Sequence, residues 1–442
     1  MRPRTIASAA GVLSAGVAMA CLTTTAFAAE NGSTARVNVS HNGTQPGGAT
    51  ASAMSADGRH IAFTSKAGNL VAGDTNQAED VFVRDLVART TTRVSVSGAG
   101  TQADGRSYAP SISDDGRYVS FASDAANLVD GDTNGKRDVF VRDLIAGTTT
   151  RVSLAQSGAQ GADDSSKLSK ISADGRHVTF QSILPLADDG DGGDRENVFV
   201  RDLTAGTTVR VNVTADGRRA TVTSGDSYED IDGGLSPVVG GRYVPFEALT
   251  PQSGSSLTAD VYLRDLATGT TTLVSVHRVG PRGTLHSVHA SMSADGRYVV
   301  FSSWAPDLVE GDTNSREDVF LRDLAAGTTT RISVSGTGAQ GNLASNRPVI
   351  SSDGRYVAFL SWARNLVDGD TNRAEDVFVR DLVSGTTTRA SVSTAGEQSD
   401  GPSANPSIST FGRRVAFEST ASNLVPGDAN LARDVFVRTL KD

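Results

Sequence analysis

The sequence predicts an all-β fold, a seven-bladed β-propeller of four-stranded antiparallel blades, and three observations predict it. An Asp-Gly-Arg turn starts at Asp57, Asp115, Asp174, Asp295 and Asp353, with degenerate copies at Gly240-Gly241-Arg242 and Phe411-Gly412-Arg413. A DVFVRDL-like element recurs at Val81–Leu86, Val139–Leu144, Val198–Leu203, Val261–Leu266, Val319–Leu324, Val377–Leu382 and Val435–Leu440. Both series have seven members, mostly 58 residues apart. A fixed period with one supersecondary unit per repeat is the mark of a propeller or solenoid. Third, a TTRVSV-like strand precedes the first full repeat, at Ala35–Ser40, and is missing after the last one. A ring explains that offset: the first strand completes the final blade and leaves no open sheet edge.

Each unit offers four strand-like segments. In the second repeat they are Ala109–Ser113, Tyr118–Ser123, Asp138–Leu144 and Thr149–Leu154. Short runs rich in Val, Phe and Thr, bounded by Gly, Asp and Asn, read as strands. Asp115-Gly116 is a hairpin signal, because few other residues tolerate a positive φ. Leu144 to Gly147 turns the chain between the third and fourth strands. Thirteen of the 15 Phe fall in two columns, one of them Phe63, Phe121, Phe180, Phe246, Phe301, Phe359 and Phe417. The other is Phe82, Phe140, Phe199, Phe320, Phe378 and Phe436, with Tyr262 in the remaining blade. A column filled in every blade implies packing between blades, each ring worth about 2 kcal/mol on burial. By strand parity, the loops between second and third strands share one face with the long inter-blade connections. That long-loop face is where binding is expected.

The SxDGRxxxFxS…DVFVRDLxxGTTTR pattern, over residues 35–442, resembles the TolB-like, WD40-like (PD40) β-propeller repeat family. The resemblance implies a secreted or envelope propeller that works by binding. No separate N-terminal α/β domain is visible and seven repeats exceed the six blades of TolB itself, so TolB's own partners do not carry over.

The ends and the composition bound the function. Met1-Arg-Pro-Arg, an apolar stretch from Ile6 to about Leu22, and Ala26-Phe27-Ala28 read as a secretory signal cleaved near Ala28. The expected organisation is a signal peptide at 1–28, a short linker at 29–34 and one propeller domain at 35–442, secreted and monomeric. Cys21, the only cysteine, would leave with the leader, so no disulfide is available. Loss of Arg2 and Arg4 would take the net charge from −9 to −11. An acidic chain without a basic run argues against nucleic acid, and no later segment is apolar enough to span a membrane. The expected partner is an extracellular or cell-envelope protein or carbohydrate.

An Asp-x-Asn-x-x-x-Asp core recurs in the loops as Asp74/Asn76/Asp80, Asp132/Asn134/Asp138, Asp312/Asn314/Asp318, Asp370/Asn372/Asp376 and Asp428/Asn430/Asp434. Asp130, Glu310 and Asp368 add an acid two residues before it in three blades. Such spacing suits Ca²⁺, which takes six to eight oxygens, at the weak extracellular affinity of about 10⁻⁴–10⁻³ M. Position 12 of the second-blade loop is Val141 rather than Glu, and four of the five loops lack Gly at position 6. The competing reading is that Asp and Asn cap the turn.

Binding is also expected where the repeats differ. Blade four has a degenerate turn, lacks the Asp-Thr-Asn loop and carries an acidic insertion at Thr223–Gly234. His277, Arg278, Arg282, His286 and His289 follow it, and the only tryptophans, Trp304 and Trp362, hold equivalent positions in blades five and six. These residues form the candidate ligand site. No nucleophile elbow or H-E-x-x-H motif is present, so a non-enzymatic binding or scaffold module is expected. The alternative is a metal-dependent, polysaccharide lyase-like enzyme using the His cluster.

Overall fold

The computed structural model describes residues 32–40, 45–161, 166–183, 186–187, 196–222, 235–251, 257–278 and 285–441. The expected leader therefore lies outside the described residues. Its strands form seven four-stranded antiparallel sheets, each hydrogen-bonded in chain order from first strand to fourth. The exception closes the ring: Thr34–Arg36 is the fourth strand of blade seven, pairing Thr34 with Arg438, Ala35 with Val437 and Arg36 with Phe436. The predicted seven-bladed propeller and its closure by the N-terminal strand are what the chain forms.

Strand limits differ from the sequence expectation in two systematic ways. The fourth strands are short, Thr148–Arg151 rather than Thr149–Leu154 in blade two and Thr34–Arg36 rather than Ala35–Ser40 in blade seven. They end where a side chain takes over the third strand's amide: Ser153 Oγ accepts from Val139 N at 3.1 Å, and Asn38 Oδ1 from Val435 N at 3.0 Å. The first strand of blade two starts earlier, at Ser107, and is bulged between Tyr108 and Ser111. Ala109 in that bulge has φ 51°, and Ala51, Leu168, His289, Arg347 and Asn405 repeat the left-handed conformation in five other blades. A bulge bends the innermost strand where it lines the channel.

Blade four departs from the rest. Its innermost strand is only Thr221–Val222, supplemented by a bridge from Leu235 to Phe246. Its second and third strands, Tyr243–Pro251 and Leu257–Asp265, run nine residues each. Without an Asp-Thr-Asn loop to pull the chain away, the hairpin continues as ladder.

The two aromatic columns meet inside each blade, with ring centroids 5.7 Å apart for Phe63 and Phe82 and 5.9 Å for Phe121 and Phe140. Blade two's pair packs in one apolar cluster with Val81, Val83 and Val94 of blade one. Phe columns are thus the inter-blade core, as their repetition implies. On the short-hairpin face, the Arg of each Asp-Gly-Arg turn clamps the Asp of its own RDL element. Arg117 donates to Asp143 through Nε at 3.0 Å and Nη2 at 2.6 Å. Bidentate pairs of this kind explain why the two motifs recur together.

Candidate functional site

The Asp-x-Asn loops are knit by groups the motif does not contain. In blade five, Gln340 from the following connection donates to Asp312 Oδ1 and Asp318 Oδ2, both at 2.9 Å. Asn314 donates to Asp318 at 3.1 Å and to the Gly341 carbonyl at 2.9 Å. Arg331, at the end of the fourth strand, stands 3.4 Å from Asp312 and 3.5 Å from Asp318. The pattern repeats with Arg151 beside Asp132 and Asp138, Arg389 beside Asp370 and Asp376, and Arg36 beside Asp428 and Asp434. In blade one, Gln102 donates to Asp74 and Asp80, and Asn76 to Asp80. These contacts also place the connections and the Asp-x-Asn loops on one face, as strand parity predicts.

The remaining asparagines follow the same scheme. Asn134, Asn372 and Asn430 donate through Nδ2 to the carbonyls of Gly161, Ser399 and Pro46, at 2.9, 3.0 and 3.2 Å. Asn372 also donates to Asp376 at 3.0 Å, and Asn430 to Asp434 at 3.2 Å. Their Oδ1 atoms are the oxygens a cation would use. Each instead accepts from the amide two residues on, at Lys136, Ala374 and Ala432. That is turn capping.

Around Asn134, Asn372 and Asn430 the loop oxygens already have protein partners, which a calcium ion would have to displace. Ca²⁺ takes six to eight oxygens, and in blades two, five, six and seven a guanidinium stands within 4 Å of both carboxylates. Asp130 and Asp368 are exposed, and Glu310 pairs instead with Arg278. Among the described residues no three His, Cys, Asp or Glu side chains are grouped to hold a metal. Burial pushes the carboxyls of Asp80, Asp138, Asp318, Asp370 and Asp434 above the usual range. Sequence reasoning missed the Gln and Arg partners. The G-x-Q triplet that recurs around Gln45, Gln102, Gln160, Gln340 and Gln398 was the available signal.

The three histidines do not converge. His277 follows the outermost strand of blade four, Thr270–Leu273, and bonds Asp307 at 2.7 Å. Arg278 is beside it, at the perimeter between blades four and five. His289 instead sits on the innermost strand of blade five, Ser287–Met292, with its amide donating to Glu247 and Nδ1 3.2 Å from Ser302 Oγ. His286 Nδ1 accepts from Ala259 N at 2.9 Å. Arg282 and residues 223–234 lie outside the described residues. Trp304 and Trp362 open the loops after the second strands and are 41% and 44% exposed.

What does converge is the central channel. The innermost strands enclose a cavity of about 280 Å³. Its bulge positions are small or apolar on blades one to three (Ala51, Ala109, Leu168) and polar on blades five to seven (His289, Arg347, Asn405). Carboxylates back the polar half: Glu247, Glu317 and Glu418 are all at most 6% exposed. Glu418 accepts from Ala51 N at 2.7 Å and Asn405 Nδ2 at 2.8 Å. Glu317 accepts from Ser302 Oγ at 2.7 Å. Burial pushes Glu375 up to about 7, against the charge of Arg347 and a hydrogen bond from Trp362. Trp362 is thereby tied to a carboxylate on which channel-lining Arg347 acts. None of the glutamates was singled out from sequence.

No protein-family model and no curated protein sequence matches the chain. Solved propellers do. The β-propeller domain of the Trilobed protease from Pyrococcus furiosus aligns with TM-score 0.51 and 11% identity, over 90% of this chain and 96% of that one. An oligogalacturonate lyase in complex with manganese aligns with TM-score 0.50 and 12% identity over 88% of each chain. A TolB from Acinetobacter baumannii covers 92% of this chain and 85% of its own at 13% identity, with TM-score 0.39, too loose to argue from. At such identities the likeness shows the fold alone, a β-propeller; function must come from the site.

Proposed function

We propose that the chain is a secreted, non-enzymatic propeller that binds a protein or carbohydrate ligand at the long-loop mouth of its channel, over blades five to seven. The observation that carries this reading is the broken symmetry there. Three polar bulge residues, their supporting carboxylates and the only two tryptophans are gathered in one sector. Exposed indoles beside planar polar side chains suit ligands with both an apolar face and hydrogen-bonding groups. Stiffness comes from the Arg–Asp–Gln clips rather than from calcium, and export from cleavage near Ala28.

The test is a glycan and peptide panel probed with the mature protein and with W304A/W362A. A ligand retained by the parent and lost by the double variant, with melting unchanged, supports the reading. Ligands bound equally by both would move the site elsewhere.

A further inference from the structure

The glutamate that precedes the third strand shows what the mouth is built to take. In blade one, Glu79 meets Arg106 at 2.5 Å, and in blade three Glu196 meets Lys167 at 3.0 Å. Blades five and six keep the acid, as Glu317 and Glu375, but lose both cations. The positions equivalent to Arg106 are Ala344 and Pro402, and those equivalent to Lys167 are Val288 and Asn346. The charge of Arg347 acts on both carboxylates, and Glu317 acts on Glu375. Glu317, Glu375 and Glu418 thus face two guanidiniums, Arg347 and Arg433, the latter 3.5 Å from Glu418. Among the described residues, the pairings that Arg106 and Lys167 make in blades one and three have no equivalent at Glu317 and Glu375.

Two further features point to a ligand. Asn346 Oδ1, beside Glu317, is a buried acceptor with no hydrogen-bond partner. Trp304 and Trp362 stand exposed at the rim on these same two blades, where an indole face attracts a cation. A metal ion is a poor candidate, because no group of three ligating side chains is assembled among the described residues. Carboxylates, an amide oxygen and indoles together suit a compact donor with a full charge.

We propose that the channel mouth at Glu317, Asn346 and Glu375 binds a primary ammonium group, presented by a lysine side chain or by a free diamine, with Trp304 and Trp362 flanking its alkyl chain. This rests on the mouth being the binding site. Ammonium binding favours ionised Glu375, so affinity strengthens as pH rises from 6 to 8.

The experiment titrates the mature protein with cadaverine, with a capped Gly-Lys-Gly peptide, and with the same peptide Nζ-acetylated, read by tryptophan fluorescence and calorimetry. The expected result is binding of the charged probes, with a loss of about tenfold or more on acetylation and about tenfold in E375Q, the scale of a close charge pair. Tighter binding of the peptide than of cadaverine assigns the ammonium to a protein partner; the reverse assigns it to a small amine. E375Q must melt no lower than the parent. Equal binding of the acetylated peptide, or no binding of either amine, overturns the ammonium assignment. In that case a glycan or peptide hit lost in W304A/W362A would still preserve the mouth as the site. Amine binding that survives W304A/W362A and E375Q overturns both.

Discussion

Arg36, on the first strand of the chain, lies 2.8 Å from Asp428 and 3.3 Å from Asp434, on the last blade. The contact joins residues nearly four hundred positions apart and is almost wholly buried. It adds to only three strand pairings, Thr34 to Arg36, that close the ring. Removing one member of a buried ion pair leaves an uncompensated charge and costs about 3–5 kcal/mol. Arg36→Ala should therefore destabilise the whole ring, seen as a lower denaturation midpoint with the slope unchanged. An unchanged midpoint would mean that the β-ladder and the Asn38 contacts alone hold the closure.

The same geometry repeated in the other blades makes a prediction about metal. Arg151, Arg331 and Arg389 stand 3.4–3.8 Å from the loop carboxylates and compete with any cation there. EDTA should leave the melting temperature of the protein unchanged, and millimolar Ca²⁺ should not raise it. Arg331→Gln should lower it, because Asp312 and Asp318 then face each other without their cation. A calcium-dependent rise in the parent protein would sink the internal-clip account.

The fold was legible because its signals are periodic. Seven copies of one turn and one strand, with the fourth strand displaced to the N-terminus, leave little room for another topology. The Asp loops were legible as positions but not as chemistry. Their partners, Arg331 and Gln340, lie 13 residues or more beyond the motif and are brought back by strand geometry. The glutamates of the channel were missed for the opposite reason: Glu317 and Glu375 look like ordinary members of an acidic repeat. Only the structure pairs the equivalent glutamates of other blades with Arg106 and Lys167, cations that blades five and six lack at those positions. The His cluster failed because nearness in sequence placed His277 with His289, while an innermost and an outermost strand hold them apart.

Neighbouring blades also interlock on the short-hairpin face. Gly175, at φ 72° in blade three, lies under the ring of Tyr118 from blade two, and a Cβ there would stand 2.2 Å from Cδ2. Gly158 has φ 80° but nothing within 4 Å. Gly158→Ala should cost only the left-handed backbone penalty of about 1 kcal/mol. Gly175→Ala should cost that plus about 1–3 kcal/mol for displacing the ring. Equilibrium unfolding of the two variants separates the terms. Equal losses would mean that Tyr118 swings aside freely.

The carboxyls predict opposite pH dependences. Hydrogen bonds from Arg117 hold Asp143 down at about 2, below an unfolded value of about 3.9. Its contribution is therefore present above pH 4 and lost as pH falls towards 2. Glu375 is the reverse: burial raises it to about 7, above an unfolded value of about 4.3. The folded state then binds the extra proton, so stability is greatest near pH 4 and declines as pH rises towards 7. E375Q removes the ionisation while keeping the shape. It should match the parent at pH 4 and exceed it by on the order of 1–3 kcal/mol at pH 8. Denaturant titrations at pH 4, 6 and 8 give the comparison. A difference that does not change with pH would show that Glu375 titrates normally, and would remove one support from the ammonium assignment.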